Sequence, residues 1–154
     1  MAKLKFGAWI PSYSWPDVGP EHVKRVTETI RKCEEYGIDV WVIDHLLSAP
    51  GLYGTAWLEP LTMLSYAAAL TSRVKLATGI LVLPVRHPVV LAKEIATLSH
   101  LSNGRYMFGV GPGWYAREYE VTGSRIEERG RRTDEIIEAV TLLLTKPNAS
   151  YQGK

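Results

Sequence analysis

Four times along this chain an aliphatic, β-branched run gives way to a stretch with helical periodicity. The runs begin at Leu4, Val40, Val74 and Tyr106, a repeat of roughly 35 residues, the size of one βα unit. Alternating units of this kind predict an α/β fold with a parallel sheet and right-handed crossovers. Strands are expected over residues 4–10, 40–43, 74–80 and 106–110, and helices over 21–36, 60–70, 89–101 and 126–144. The third strand is the most telling. Its sequence, VKLATGI, is almost without polar interruption, as suits a strand buried on both faces. It runs through a loop to Arg86-His87-Pro88, and Pro88 suits the first turn of a helix because its missing N–H would have no partner there. Two architectures satisfy the alternation: an open doubly wound sheet, or half of a (β/α)8 barrel, which needs ~250 residues when whole.

Apolar residues at helical spacing predict which faces turn inward: Val23, Val26, Ile30 and Cys33 on the first helix, Leu91, Ile95 and Leu98 on the third, and Ile136, Val140, Leu143 and Leu144 on the last. Gly37 and Ser102-Asn103-Gly104 sit where a helix stop favours a left-handed residue. Trp9 and Trp41 are expected in the core. Loops are expected around Pro11-Ser12-Tyr13-Ser14-Trp15-Pro16 and around Pro50, Gly51 and Gly54, with a short extended piece over 149–152.

At 154 residues the chain is expected to form a single domain over 1–154, large enough for a real core. A net charge of +2 argues against a nucleic-acid or membrane surface. The arginines 125, 129, 131 and 132 alternate with Glu127, Glu128, Asp134 and Glu135, which reads as a solvated helix face. The single cysteine, Cys33, allows no internal disulfide and no multi-cysteine metal site, and no metal is expected. No apolar run approaches the ~20 residues of a membrane span. Nor does any signal-like stretch precede the first strand, so the cytoplasm is the expected location.

The loop Gly109-Val110-Gly111-Pro112-Gly113-Trp114 has a passing likeness to a dinucleotide fingerprint. Its third glycine is one residue early, it follows the fourth strand, and Trp114-Tyr115 would crowd a pyrophosphate. There is no GxxxxGK[ST] run either. Asp44, His45, Thr78, Gly79 and Gly111 all fall at the carboxyl ends of predicted parallel strands, the face on which a barrel builds its site.

Asp44-His45 after strand two, ATGILVLPVRHP at 77–88, LAKEIATLSHLSNGR at 91–105, YMFGVGPGW at 106–114 and RGRRTDEIIEAV at 129–140 together resemble the bacterial-luciferase-like superfamily of flavin and deazaflavin oxidoreductases. The resemblance covers essentially the whole chain. It implies a (β/α)8 TIM barrel of which this chain is the N-terminal half, binding FMN or coenzyme F420 at the C-terminal mouth. Asp44-His45-Leu46 and GVGPGW are closest to the F420-dependent branch. The implied activity is hydride transfer to or from a small organic substrate. An FMN-dependent monooxygenase of the same fold is the alternative, and a non-catalytic half-barrel fragment or binding module is the other.

The resemblance implies cofactor contacts from Asp44, His45, Thr78, Gly79 and Gly111. His45 is the candidate catalytic group, since imidazole can donate a hydrogen bond or pass a proton near neutral pH. Asp44 is expected to orient His45 or cap a loop, and Arg86 to meet an anionic tail or lie on a solvated rim. Trp57, Trp114 and Tyr13 are the candidate substrate wall. A non-proline cis peptide of the family maps to Thr78–Gly79 or Gly79–Ile80. Some F420-dependent relatives carry a proton-donating Glu where this chain has Pro112, so any donor would be His45, a tyrosine such as Tyr13, or a residue of the missing half. Four βα units leave open sheet edges, which carries the expectation of a homo-oligomer or completion by a second half-barrel.

Overall fold

In the computed structural model, which describes residues 4–13, 19–49 and 57–153, strands β1 (Gly7–Trp9), β2 (Asp39–Val42), β3 (Leu76–Thr78) and β5 (Tyr106–Met107) form one parallel sheet. A second parallel pair, β4 (Leu81–Val82) and β6 (Val110–Gly111), prolongs the third and fourth strands. Ser14, Trp15, Pro16, Pro50, Gly51 and Gly54, which the sequence places in loops, lie outside the described residues.

The order β1-β2-β3-β5 decides between the two architectures. Each strand lies beside its predecessor and the sheet grows in one direction. A doubly wound sheet reverses direction at a switch point; a barrel wall does not. The helices α1 (Pro20–Tyr36), α2 (Pro60–Leu70), α3 (Pro88–Leu101) and α5 (Arg129–Thr145) follow the strands and pack side by side, α1 on α2, α2 on α3 and α3 on α5. A six-residue helix, α4 (Ala116–Val121), comes before α5.

The pleat sorts the strand residues. Val40, Val42 and Leu76 face the helices and are fully buried with Ile30, Leu64 and Leu91. Trp9 and Trp41 lie on the other face. Trp9 is 66% exposed, against the expectation of core packing, because the helices cover one side of this sheet only. Trp41, also expected in the core, is half-buried on the uncovered face, with its ring against Gly7 and Gly79. A Cβ on Gly79 would stand 2.6 Å from its ring, and one on Gly7 would overlap it. The two missing side chains make room for an indole.

Helix ends follow local chemistry. Gly37 closes α1 at φ +69, and Asn103 and Gly104 take the left-handed conformation after α3. Two expected stripes shift. On α1, His22 is buried and Val23 is 46% exposed; the imidazole Nε2 donates to the Pro11 carbonyl at 2.7 Å. On α5, Ile136 and Val140 are buried, but Leu143 and Leu144 are exposed. Residues 149–152 form no strand. Cys33 is buried, and burial pushes its thiol up. Among the described residues no helix is long and apolar enough to cross a membrane.

One carboxylate ties α1 to the start of β3. Glu34 accepts from the backbone N–H groups of Ser72, Arg73 and Val74 at 3.1–3.3 Å and from the Ser72 hydroxyl at 3.0 Å. Burial would raise its pKa, but the N–H groups of Val74 and Ser72 and the Ser72 hydroxyl outweigh it and hold the carboxyl at about 2. The folded pKa is depressed, so its contribution is complete above the ordinary carboxylate value and is lost as pH falls from ~4.5 towards ~2. Glu34→Ala is expected to destabilise the chain by about 1–2 kcal/mol at neutral pH, the exposed Arg73 adding little. The gap between wild type and variant should narrow as urea titrations are repeated from pH 5 to pH 2.5. A gap constant over that range would show that the Glu34 charge contributes nothing.

Candidate active site at the strand tips

Strands two and three end on a cavity of about 160 Å3. The indoles of Trp57 and Trp114, with Ile43, Ile80 and Val82, give it apolar walls; His45, Asp44 and Glu118 are its titratable groups. The peptide between Gly79 and Ile80 is cis, which settles the two positions left open by the sequence.

His45 is 9% exposed and held on several sides. Its ring centroid lies 5.0 Å from that of Trp57, tilted, and 5.9 Å from that of Trp114, edge-on. Its Nδ1 meets Glu118 Oε1 at 3.1 Å. Tyr13 bridges Trp57 through the backbone and packs on its ring at 5.1 Å. Tyr115 packs on Trp114 at 5.4 Å. His45 therefore sits mid-way along a row of aromatic rings running from Tyr13 to Tyr115.

Asp44 faces elsewhere. Its Oδ2 accepts the Val82 N–H at 2.8 Å, and both oxygens accept from Arg86 Nη2 at 2.9 and 3.0 Å. Arg86 also bonds Glu59 at 3.2 Å, and Glu59 caps α2 through the Thr62 N–H at 2.7 Å. Asp44 thus caps the loop after β3 and does not orient His45. Arg86 is an internal brace, neither a solvated rim nor free for an anionic tail. Burial pushes the Asp44 carboxyl up, against the Arg86 guanidinium and the Val82 N–H. Burial alone would lower Arg86, but Asp44 and Glu59 raise it, so it keeps its charge.

Of the residues singled out from sequence, Asp44, His45, Gly79, Trp57 and Trp114 line the cavity, and Tyr13 supports it from behind Trp57. Thr78 and Gly111 do not line it. Thr78 is fully buried among the helix-side residues, and its hydroxyl donates to the Gly109 carbonyl at 2.7 Å. The space above Gly111 is taken by Ile80, whose Cδ1 would stand 2.9 Å from a Cβ there. Burial pushes the neighbouring Tyr106 phenol up to about 12, although its hydrogen bond with Thr78 opposes this. It therefore stays protonated at neutral pH. Gly113, Ile80, Val82 and Glu118 are lining residues that sequence reasoning missed. The signal for Glu118 was the glutamate four residues after Trp114. It lies on α4, a helix too short to show a hydrophobic period.

Known proteins share this fold. Residues 4–154 match the family model described as luciferase-like monooxygenase. The F420-dependent glucose-6-phosphate dehydrogenase of Amycolatopsis mediterranei is 38% identical over 128 residues, 79% of this chain and 38% of its own length. The monooxygenase RslO1 from Streptomyces bottropensis superposes with a TM-score of 0.79 at 32% identity, covering 98% of this chain and 46% of that one. The FMN-bound oxygenating constituent of 3,6-diketocamphane monooxygenase from Pseudomonas putida superposes with a TM-score of 0.83 over 97% of this chain and 42% of that one; at 22% identity this likeness concerns the fold alone. The chain spans about a third of the length of the curated relatives it matches. A one-directional sheet of βα units, its cavity at the strand tips and the match over 4–154 together make this chain a member of the luciferase-like monooxygenase family, and its fold part of a (β/α)8 barrel.

Proposed function

We propose that the cavity around His45 receives the edge of a deazaflavin ring, and that the chain forms the N-terminal half of an F420-dependent oxidoreductase acting on a small organic substrate. The observation that carries this reading is the meeting of one imidazole with two indoles at the strand tips. A planar ring wants apolar walls and a few polar contacts at its edge, and Trp57, Trp114, Ile80 and His45 are of that kind. The volume of about 160 Å3 is below the ~300–1,000 Å3 of a complete small-molecule site, so an edge rather than a whole cofactor is accommodated. F420, when bound, supplies the hydride chemistry. The protein side of the work falls to His45, which donates to or accepts from the ring edge or the substrate, and to the indoles, which keep water away from it. Trp57, Trp114 and Tyr13 form the proposed substrate wall. Asp44 and Gly79 act through the shape of the cavity mouth, Thr78 and Gly111 through the backbone behind it.

Asp44-His45-Leu46 and the 38% identical F420-dependent relative favour the deazaflavin. The second reading is an FMN-dependent monooxygenase, favoured by RslO1 and by the FMN-bound fold relative. The exposed Trp9 face is the surface that a second half-barrel, another copy included, would cover.

The test is titration of the chain with F420 and with FMN, followed by ring fluorescence, with sedimentation of the same samples. F420 quenching at micromolar protein, about tenfold weaker in His45→Ala, is the expected result. Tighter FMN binding with oxygen uptake would move the assignment to the monooxygenase. Binding of neither ring would leave a non-catalytic half-barrel.

A further inference from the structure

We infer that Glu118 is a positioning residue for His45: it fixes the neutral imidazole as the Nδ1–H tautomer and so makes Nε2 the accepting nitrogen. The role in function rests on the reading of the cavity as a ring site; the tautomer itself does not.

Glu118 Oε1 lies against three nitrogens: the N–H of Leu46 at 2.8 Å, the N–H of Leu47 at 3.2 Å and His45 Nδ1 at 3.1 Å. Two of the three are backbone amides that can only donate, so they fix an oxygen, not a protonated group, at this point. The side chain is 2% exposed, so water does not compete. Burial would raise this carboxyl, but the hydrogen bond from His45 and the N–H groups of Leu47 and Leu46 outweigh it and hold Glu118 below its ordinary range. An ionised carboxylate has no proton to give, so the nitrogen facing it carries one. The neutral ring then has its lone pair on Nε2.

The frame behind Glu118 is fixed as well. The Tyr119 hydroxyl donates to the Pro112 carbonyl. The Tyr115 hydroxyl reaches the Ser48 carbonyl at 3.5 Å. The short helix α4 is therefore attached both to the glycine loop and to the segment after His45, and the carboxylate has little freedom to turn away. Glu118 does not substitute for the proton donor that Pro112 displaces. Ionised and triply bonded, it orients, and any proton transfer from this side of the cavity passes through His45. A metal ligand depends in the same way on the group that holds its other ring nitrogen.

The test is two-bond 1H–15N NMR of the full chain labelled at histidine, recorded at alkaline pH, with His45→Ala identifying the signal among the four histidines. Wild type is expected to show the Nδ1–H form. Glu118→Gln should keep it, because the Leu46 and Leu47 amides hold the carboxamide oxygen towards His45. Glu118→Leu should shift His45 towards the Nε2–H form that a solvated histidine prefers. An Nε2–H signal in wild type overturns the inference without reference to any variant, and an unchanged Nδ1–H signal in Glu118→Leu does the same. F420 and FMN binding, read by fluorescence, separates the two readings. Affinity about tenfold weaker in Glu118→Leu and within about threefold of wild type in Glu118→Gln supports the positioning role. Equal affinity in all three overturns that role and leaves the ring site standing. A correct tautomer in a chain that binds neither ring overturns the ring site and leaves the tautomer assignment standing.

Discussion

Gly109→Ala is expected to destabilise the chain by about 3 kcal/mol, a large fraction of the roughly 5–15 kcal/mol that keeps a typical domain folded. Gly109 is where the fourth strand kinks between β5 and β6. Its carbonyl accepts both the Thr78 hydroxyl at 2.7 Å and the Leu81 N–H at 2.8 Å, so it joins this strand to both halves of the third. A Cβ added there would run into the Thr78 carbonyl oxygen. That neighbour is backbone, so no side-chain rotation relieves the clash. The strands would have to separate, and the bonds just named would lengthen with them. Gly130→Ala is the control. It lies in α5 with nothing within 4 Å of the added carbon, and helix propensity predicts a gain of about 0.5–1 kcal/mol. Urea unfolding followed by circular dichroism measures both. A Gly109→Ala stability within about 1 kcal/mol of wild type would show instead that the kink yields easily and that the two strands can part without loss.

Arg105→Met is expected to cost about 4 kcal/mol. Arg105 is 9% exposed, and its guanidinium bonds five oxygens at 2.8–3.3 Å: the carbonyls of Ala68, Thr71, Val74 and Ser102 and the Thr71 hydroxyl. Thr71 and Ser102 are the residues at which α2 and α3 end. Helix carboxyl ends carry unpaired carbonyls and a partial negative charge, and one cation answers both. Methionine fills similar space but leaves buried carbonyls without donors. Arg105→Lys should recover only part of the loss, since one ammonium cannot span five acceptors. The measurement is the same unfolding titration, and equal stability of Arg105→Met and wild type would mean that the carbonyls do not need the guanidinium.

The repeat of strand and helix was legible because each element is either strongly periodic or strongly apolar. The helix starts at Pro60 and Pro88 and the stop at Gly37 follow from single residues. The break in the third strand was legible only through the family resemblance, which put a cis peptide at one of two bonds: residues 74–80 read as one run, yet the chain pairs only Leu76–Thr78, turns through the cis peptide after Gly79 and pairs again at Leu81–Val82. Composition carries no mark of that break. Trp9 was misplaced because a large apolar side chain was equated with the core, whereas the covering of this sheet is one-sided. At the cavity, the chain order reveals which residues end strands, so His45, Asp44 and Gly79 could be found. It does not reveal where each side chain is engaged. Asp44 and His45 are adjacent, yet one braces Arg86 and the other faces Glu118, 73 positions along the chain. The glycines illustrate the same limit: sequence shows that room was made at Gly79 and Gly111, not that Trp41 and Ile80 fill it.

Because strand neighbours in space are also neighbours in the chain, every unit leaving the ribosome meets a template already laid down. Assembly can advance in the direction of translation, each newly made strand adding to a finished edge, with no need to wait for a distant segment. An edge that grows this way is always one strand from being extended, which gives the architecture a simple route to lengthening by duplication of a βα unit.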